Sequence, residues 1–265
     1  MNDIKLVVTD MDGTFLNSNH EISPEFDRIY NELQERDILF VPASGRQLSA
    51  ITKYFPKHKN EMAFIAENGA YVIHNNKEVF VDRLDINLIK EIIEIARTVE
   101  GANVILSAKD KAYYESQNQN FVDYQAQFYT ENQYVEDLLK DIDPASFKIA
   151  IYHENGSEDN LYPFFKHFEK DNLKVVVSGE FWLDIMNNNI NKGVALSLLH
   201  KKLNINPEQT VAFGDYMNDL EMLESSGYSY AMENAHPKVK EIAKFSAPTN
   251  DEFGVIKVIK EVINL

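Results

Sequence analysis

The sequence of 265 residues contains no cysteine. This excludes disulfide bonds, thiolate-bound zinc, iron–sulfur clusters and a thiol nucleophile, and it fits a reducing compartment. Long apolar runs are missing too, since no stretch reaches the about 18 residues that a membrane span needs. The first residues, MNDIKLVVTDMDGT, lack the basic start and the long apolar run of a signal peptide. We therefore expect a cytoplasmic protein.

Basic residues are few beside acidic ones. Lys and Arg total 26 against 42 Asp and Glu, which gives a net charge of −16. So acidic a surface repels phosphate backbones and anionic lipids, so we expect neither nucleic acid nor membrane as a partner. The hydrophobic fraction of 44% is enough for a sizeable core, in one large domain or two moderate ones. Composition leaves monomer and homodimer open.

The first third and the last quarter of the chain alternate between strand and helix patterns. In the first third, strands are predicted at 4–9, 38–42, 63–66 and 71–74, and helices at 24–36 and 46–55. After residue 190 the predicted order is helix 192–203, strand 210–213, helix 219–225, strand 228–232, helix 237–244, strand 245–247 and helix 254–263. Strands separated by helices predict crossover connections and a parallel sheet, hence an α/β fold.

The middle of the chain has a different pattern. Asp85 is a plausible N-cap for a helix, and short strands are predicted at 103–107, 112–115, 147–153, 174–178 and 181–186. Helical stretches are predicted within 117–134 and around 161–169. Strands this close together favour hairpins and an antiparallel sheet, hence an α+β insertion. The polar run 187–189, three asparagines, is predicted to be a hinge or linker.

Two aspartates two residues apart follow the first predicted strand. Asp10 and Asp12 precede Gly13, which permits a sharp turn, and Thr14, which can hydrogen-bond locally. Burying two bare carboxylates is expensive, and a divalent cation offsets that cost. Oxygen ligands without cysteine favour a hard ion such as magnesium. An ordinary acidic turn with both aspartates solvated remains an equally simple interpretation of this motif taken alone.

Three more polar clusters also follow strands or open helices. Ser44-Gly45-Arg46 offers a hydroxyl and backbone N–H groups for a phosphate oxygen, although Ser44 taken alone is an ordinary helix cap. Lys192, in Asn-Lys-Gly, lies at the end of a helix where the dipole disfavours a cation, so an anionic partner is indicated. A solvated lysine is the commoner alternative.

The last cluster is the segment 214–219, GDYMND. Asp215 can supply a further metal ligand, and Asp219 can support the metal site or pair with the lysine. An acidic capping loop would explain this segment alone. Because ligands bind at the carboxyl edge of an open α/β sheet, all four clusters are expected to converge there.

Together and in this order, the motifs resemble the haloacid dehalogenase-like hydrolase superfamily, in its Cof-type or IIB phosphatase branch. The resemblance covers essentially the whole chain. It rests on DMDGT at 10–14, SGR at 44–46, ENGA at 67–70, NKG at 191–193, GDYMND at 214–219, MENAHPKVKEIAK at 232–244 and TNDEFGV at 249–255. The chain departs from the family at 187–189, where members often carry Pro or Gly before the lysine motif.

The resemblance implies a Rossmann-like parallel-sheet core, residues 1–83 and 188–265, with an α+β cap at 84–187 inserted after the third core strand. It implies a magnesium-dependent phosphatase of a small phosphorylated metabolite, a sugar phosphate by default. It implies that Asp10 is the nucleophile and Asp12 the acid/base. The implied metal ligands are Asp10, the carbonyl of Asp12, and Asp215, with Asp219 supporting the metal and Lys192. The residues implied at the phosphate or substrate are Ser44, Gly45, Arg46, Lys192 and Asn218.

Two other functions remain open at this point. A phosphomutase would share the first half-reaction, and a non-catalytic phospho-receiver would only hold an aspartyl-phosphate. Asp12 argues against the receiver, because an efficient acid/base would hydrolyse its signal. Candidates for setting specificity in the cap, each of which packing alone would also explain, are Tyr113, Tyr124, Phe128, Trp182 and Asp184.

Overall fold

The computed structural model describes residues 3–109 and 111–265. Its strands are β1 (Leu6–Asp10), β2 (Leu39–Ala43), β3 (Ala63–Ala66), β4 (Tyr71–His74), β5 (Lys77–Val81), β6 (Asn103–Ser107), β7 (Ala112–Tyr114), β8 (Asn132–Tyr134), β9 (Lys148–Tyr152), β10 (Leu173–Val177), β11 (Trp182–Asn187), β12 (Thr210–Gly214), β13 (Tyr228–Met232) and β14 (Phe245–Ala247).

The α-helices are α1 (Phe26–Glu35), α2 (Leu48–Thr52), α3 (Ile86–Thr98), α4 (Gln119–Gln125), α5 (Ser157–Asn160), α6 (Tyr162–Phe165), α7 (Lys192–Leu203), α8 (Leu220–Glu224), α9 (Pro237–Ile242) and α10 (Gly254–Val262). None of the helices in these described ranges is long and apolar enough to cross a membrane. Short 3₁₀ turns lie at Glu67–Gly69, Lys166–Asp171, Pro207–Gln209, Met217–Asp219 and Asn250–Glu252.

The described chain forms two compact units, residues 3–80 with 190–265 and residues 81–189. The first unit contains a sheet in the order β14-β13-β12-β1-β2-β3-β4-β5. Its strands are parallel from β14 to β3, and β4 is antiparallel to β3. Every residue of the central strand β1 is buried. The α/β class is therefore confirmed, while the predicted functional domain borders after residues 83 and 187 stay a prediction.

Hydrogen bonds outside the helices explain why two predicted helices are shorter than expected. The helix predicted from residue 24 begins at Phe26, after a turn in which Ser23 Oγ accepts from Glu25 N and the Ser23 carbonyl accepts from Phe26 N. The helix predicted at 46–55 is confined to α2, Leu48–Thr52. The carbonyl of Arg46 accepts instead from Glu67 N at 3.1 Å. Long-range bonds therefore override helix propensity in the loop after β2.

The second unit has a sheet in the order β10-β11-β9-β6-β7-β8. Its neighbouring strands are antiparallel except β7 and β8, so the predicted α+β character is confirmed. On one face α3 packs Ile89, Ile92, Ile93 and Ala96 into an apolar core. Asp85 caps this helix as predicted, since its side chain accepts from Asn87 N and Leu88 N.

The opposite face of this sheet carries an aromatic cluster of Tyr114, Phe121, Tyr129, Tyr152 and Trp182, which α4 enters through Phe121. Tyr113 packs on the α3 side instead. The run 187–189 is not wholly a linker, because Asn187 pairs with Leu173 as the last residue of β11. Its side-chain amide also donates to the carbonyl of Arg83 at 3.1 Å.

Candidate functional site

A cavity of about 390 Å³ opens at the carboxyl ends of β1, β2 and β12, within the first unit. It is lined by Asp10, Asp12, Ser44, Gly45, Arg46, Asp215, Tyr216 and Asn218. The structure thus brings together seven of the nine site residues expected from sequence. The other two, Lys192 and Asp219, are fully buried; Lys192 forms ion pairs with both Asp10 and Asp219.

Lys192 links two carboxylates beneath the cavity. Its Nζ donates to Asp10 Oδ1 at 2.5 Å and to Asp219 Oδ1 at 2.7 Å. Burial raises the pKa of Asp10 well above its ordinary value, and the nearby charges of Asp219 and Asp215 add to this although Lys192 opposes it. Burial alone would lower the pKa of Lys192, but the two bonded carboxylates outweigh it and raise that pKa. The lysine is therefore a permanent buried cation.

Asp219 holds the loop that carries Asp215. Its Oδ2 accepts from the backbone N–H of Asp215 at 3.0 Å and of Tyr216 at 3.1 Å, while Oδ1 accepts from Lys192. Both oxygens are thus engaged by protein groups. Gly214 is required beside it, because a Cβ there would lie 2.6 Å from the Cβ of Asp219. The geometry fits the supporting role expected for Asp219 better than a direct ligand role.

Asp215 is fixed by a residue from the first loop. Thr14 Oγ1 donates to Asp215 Oδ1 at 2.7 Å, so Thr14 does not make the local bond expected from sequence. Burial raises the pKa of Asp215 to about 6, with a further increase from the charge of Asp219. Gly13 has φ +75°, and a Cβ there would lie 2.5 Å from Asp215 Oδ2. The turn after Asp12 therefore needs glycine for both conformation and space.

A metal ion fits the chemistry of these groups. One oxygen each from Asp10, Asp215 and Asp219 lie within 4.8 Å of one another. Three ionised carboxylates against the single ammonium of Lys192 leave two negative charges, which a divalent cation balances. The donors are hard oxygens, which magnesium prefers. The carboxylate of Asp12 is outside this group, consistent with the expectation that Asp12 contributes its backbone carbonyl.

Arg46 lies against Asp12. Its Nε donates to Asp12 Oδ2 at 2.7 Å and its Nη2 donates to Oδ1, so the pair is bidentate. Burial lowers the pKa of Arg46, but Asp12 outweighs this and raises it. His20 Nδ1 lies 3.5 Å from the same Asp12 Oδ1. Arg46 also lines the cavity, so its expected place at the phosphate stays a prediction beside this pairing with Asp12.

The loop after β2 offers neutral donors to the cavity. Ser44 is buried, and its Oγ accepts from Arg46 N at 3.2 Å in a tight turn, so it does not cap α2, whose N-cap is Gln47.

Asn218 Nδ2 donates to Asn68 Oδ1 at 3.0 Å. From the sequence, Asn68 is part of the ENGA motif and has no predicted role of its own. Its φ of +55° marks a turn residue, the signal that Asn-Gly gives.

Tyr216 was also missed by sequence reasoning. Its side chain lines the cavity and is 60% exposed. Its ring meets the ring of His236 edge-on, with centroids 5.9 Å apart. The only signal in the sequence is its position directly after Asp215. An exposed aromatic at the rim of a polar cavity can contact the organic part of a ligand.

The chain is similar to known proteins over almost its whole length. A sequence model of the haloacid dehalogenase-like hydrolases matches residues 7–259. The 5-amino-6-(5-phospho-D-ribitylamino)uracil phosphatase YbjI of Escherichia coli is 32% identical over 264 residues, covering 98% of this chain and 96% of the relative. YitU of Bacillus subtilis, which is also named a 5-amino-6-(5-phospho-D-ribitylamino)uracil phosphatase, is 26% identical over 269 residues, covering 98% of each chain. The crystal structure of TM0651 from Thermotoga maritima superposes with a TM-score of 0.88 at 31% identity, covering 97% of each chain.

Proposed function

The chain belongs to the haloacid dehalogenase-like hydrolase family, and we propose that it hydrolyses a small phosphorylated metabolite with Mg²⁺ through an aspartyl-phosphate on Asp10. Membership confirms the resemblance predicted from the motifs, and the enzyme class is phosphoric monoester hydrolase. The observation that carries the mechanism is the buried pair of Asp10 and Lys192 at the floor of a cavity that also exposes Asp12 and Asp215.

Asp10 is the proposed nucleophile. A carboxylate attacks a dianionic phosphate poorly because like charges repel. Lys192, in contact with Asp10, lowers that repulsion and stabilises the charge that develops on the phosphoryl oxygens. An Asp10 oxygen bonds to phosphorus, and the bond between phosphorus and the leaving oxygen breaks. The covalent intermediate divides the hydrolysis into two easier steps.

Asp12 is the proposed acid and base. It lies at the mouth of the same cavity and is 42% exposed at its side chain, so solvent and substrate can reach it. It gives a proton to the leaving oxygen in the first step and takes one from the attacking water in the second. The phosphorus bond to Asp10 then breaks, and inorganic phosphate leaves. General acid–base groups of this kind contribute about 10²–10⁴-fold in rate.

Asp10 and Asp215 would hold Mg²⁺ through carboxylate oxygens, and Asp12 would add its backbone carbonyl. When bound, the ion neutralises negative charge on the phosphate and on the carboxylates around it. Ser44, the backbone of Gly45, Lys192 and Asn218 are proposed to orient the phosphoryl oxygens. Ser44, Gly45 and Asn218 line the cavity together with Asp10 and Asp215, and Lys192 donates to Asp10. Arg46 is proposed to act on Asp12 and, through it, on the substrate.

The substrate class that best fits the similarities is a phosphate ester of a polyhydroxylated chain. The two named relatives act on a ribitylaminouracil phosphate, in which the ester is carried by a sugar alcohol. A sugar phosphate, the default expected from the sequence, shares that chemistry. We propose this class for the chain, which would act on it as a monomer or a homodimer.

A panel of phosphorylated metabolites incubated with the protein and Mg²⁺, with inorganic phosphate as the readout, tests this proposal. Free phosphate from a sugar or sugar-alcohol ester is the expected result. Transfer only when a bisphosphate is added would favour a phosphomutase instead. A stable phospho-Asp10 without phosphate release would favour a phospho-receiver.

A further inference from the structure

Two motifs near the end of the sequence have no part in the proposed mechanism, and both contact the loop that follows β1. They are MENAHPKVKEIAK at 232–244 and TNDEFGV at 249–255. Asn234, Asn250 and Asp251, which belong to them, form hydrogen bonds with the segment 13–18. The bonded residues are 221 to 234 positions apart in the sequence. The fold therefore uses the end of the chain to hold its first loop.

Asn234 joins that loop to the second of the two motifs. Its side-chain Nδ2 donates to the carbonyl of Gly13 at 2.7 Å, and its Oδ1 accepts from the backbone N–H of Asn250 at 3.1 Å. Both ends of the amide are therefore bonded to backbone groups of the chain. Asn234 is nevertheless exposed, so shortening its side chain leaves no cavity in the core.

Asn250 and Asp251 hold the later part of the loop. Asn250 is buried, and its Nδ2 donates to the carbonyl of Leu16 at 2.9 Å. Asp251 accepts twice from Ser18, from the backbone N–H at 2.7 Å and from Oγ at 2.9 Å. The segment 13–18 is thus fixed at its start, in its middle and at its end.

The stretch that carries Asn234 also holds the loop of Asp215. The backbone N–H of His236 donates to the carbonyl of Asp215 at 2.9 Å. Between these two anchored loops runs the bond from Thr14 Oγ1 to Asp215 Oδ1, at 2.7 Å. One short segment therefore contacts the backbone on both sides of that bond, at Gly13 and at Asp215.

We propose that Asn234 is a positioning residue of the metal site and acts through Thr14 on Asp215. Its bond to the Gly13 carbonyl fixes the loop from which Thr14 donates to the Asp215 carboxylate. Groups that hydrogen-bond a metal-binding carboxylate orient it, and their loss costs about 10–100-fold in metal affinity. The inference deepens the proposed function, and its magnesium measurements rest on that function.

Replacing Asn234 should weaken the binding of Mg²⁺ to the full chain. Asn234→Ala removes both amide bonds at an exposed position, so we expect the variant to fold and to bind Mg²⁺ about tenfold more weakly by calorimetry. Asn19→Ala, at an exposed asparagine just beyond the segment 13–18, is the matched control and should bind like the parent chain. Equal affinity in Asn234→Ala and the parent would overturn the proposal.

A double-mutant cycle tests whether Asn234 acts through Thr14. Thr14→Val removes the hydroxyl donor and keeps the branched shape, so the position of the loop no longer orients Asp215. Asn234→Ala should then weaken Mg²⁺ binding less than about twofold in the Thr14→Val chain, against about tenfold in the parent. The same factor in both backgrounds would show a merely structural effect and would contradict the proposal.

Hydrogen exchange in the metal-free chain separates this proposal from the proposed function. Amides across 13–18 should exchange faster in Asn234→Ala than in the parent, because the loop has lost an anchor, while those of β2 should not change. Unchanged exchange across 13–18 would overturn the positioning role. A parent chain that binds no Mg²⁺ but shows this local change on substitution would overturn the proposed metal site and leave the positioning of the Thr14 loop by Asn234 standing.

Discussion

Both carboxylate oxygens of Asp12 accept hydrogen bonds from one guanidinium, that of Arg46, with Nε 2.7 Å from Oδ2. In this arrangement both oxygens of Asp12 accept hydrogen bonds, as the oxygens of a carboxylate that acts as a base do. To donate a proton to a leaving group, one of its oxygens must part from Arg46. We therefore expect Arg46 to position Asp12 and to set how readily it exchanges protons.

Replacing Arg46 with lysine should affect substrates unequally. A lysine ammonium cannot hold both oxygens of a carboxylate in a plane. We expect kcat to fall about tenfold or more for a sugar phosphate, whose leaving oxygen needs a proton, and less for p-nitrophenyl phosphate, whose leaving group does not. Arg28→Lys, at an exposed pair with Glu25, is the control. Equal losses for both substrates would show that Arg46 does not act through Asp12.

Gly13 should tolerate no side chain. Gly13→Ala places a Cβ 2.5 Å from Asp215 Oδ2 at a φ of +75°, so we expect Mg²⁺ binding and turnover to be lost. Gly156→Ala imposes a similar strain, at φ +98°, but its nearest atom would be 3.8 Å away. Both variants should lose some thermal stability, and only Gly13→Ala should lose metal binding by calorimetry. Comparable metal binding in the two would contradict the close approach of Gly13 to Asp215.

Lys192→Met should unfold more readily as well as lose activity. The change leaves Asp10 and Asp219 buried without their cation, and breaking a buried ion pair costs about 3–5 kcal/mol. Lys201→Met, an exposed lysine in the last turn of the same helix, should change little. Urea denaturation of the metal-free proteins gives the comparison. A Lys192→Met chain as stable as the control would contradict the buried triad.

Magnesium affinity should depend on the proton of Asp215. Burial raises its pKa to about 6, and magnesium binds the deprotonated carboxylate. Half-saturation should therefore need about tenfold more Mg²⁺ at pH 5 than at pH 7, as measured by calorimetry. Because the folded, metal-free chain keeps this proton to a higher pH than the unfolded chain does, Asp215 makes the free energy of unfolding fall as pH rises from about 4 to 6. Equal Mg²⁺ affinity at the two pH values would contradict this.

Elements with strong local signals could be predicted closely from the sequence. The helix α7 was predicted at 192–203 and has those bounds, because Asn191 caps it and accepts from Val194 N at 2.9 Å. The strand at Tyr228–Met232 was also predicted with its observed bounds. Two strands were not predicted, β5 and β8, and both are short and mostly exposed or half-buried. They lack the apolar alternation that marks a strand in a sequence.

Seven of the residues that line the cavity were named from motifs, but their partners were not. Thr14 and Asp215 lie 201 residues apart in the sequence, and Asn68 and Asn218 lie 150 apart. The order of strands in the sheet decides which residues meet in such pairs. That order cannot be read from local sequence patterns. The pairing of Arg46 with Asp12 has the same origin, since the sequence shows the charge but not its partner.

The division of labour between Asp10 and Asp12 is the centre of the proposed mechanism. Asp12→Asn would remove the proposed base of the second step, while an aryl phosphate needs almost no acid in the first step. Mixed rapidly with p-nitrophenyl phosphate and Mg²⁺, this variant should release a burst of nitrophenolate and then turn over slowly. The burst should approach one per active site.

Quenching that reaction in acid and locating the phosphate by mass spectrometry is the most direct test. The mechanism predicts phosphate on Asp10 in Asp12→Asn, and none in Asp10→Asn, which cannot form the intermediate. No burst and no phospho-Asp10 in the Asp12→Asn chain, with equal rate losses for aryl and sugar phosphates, would contradict the mechanism.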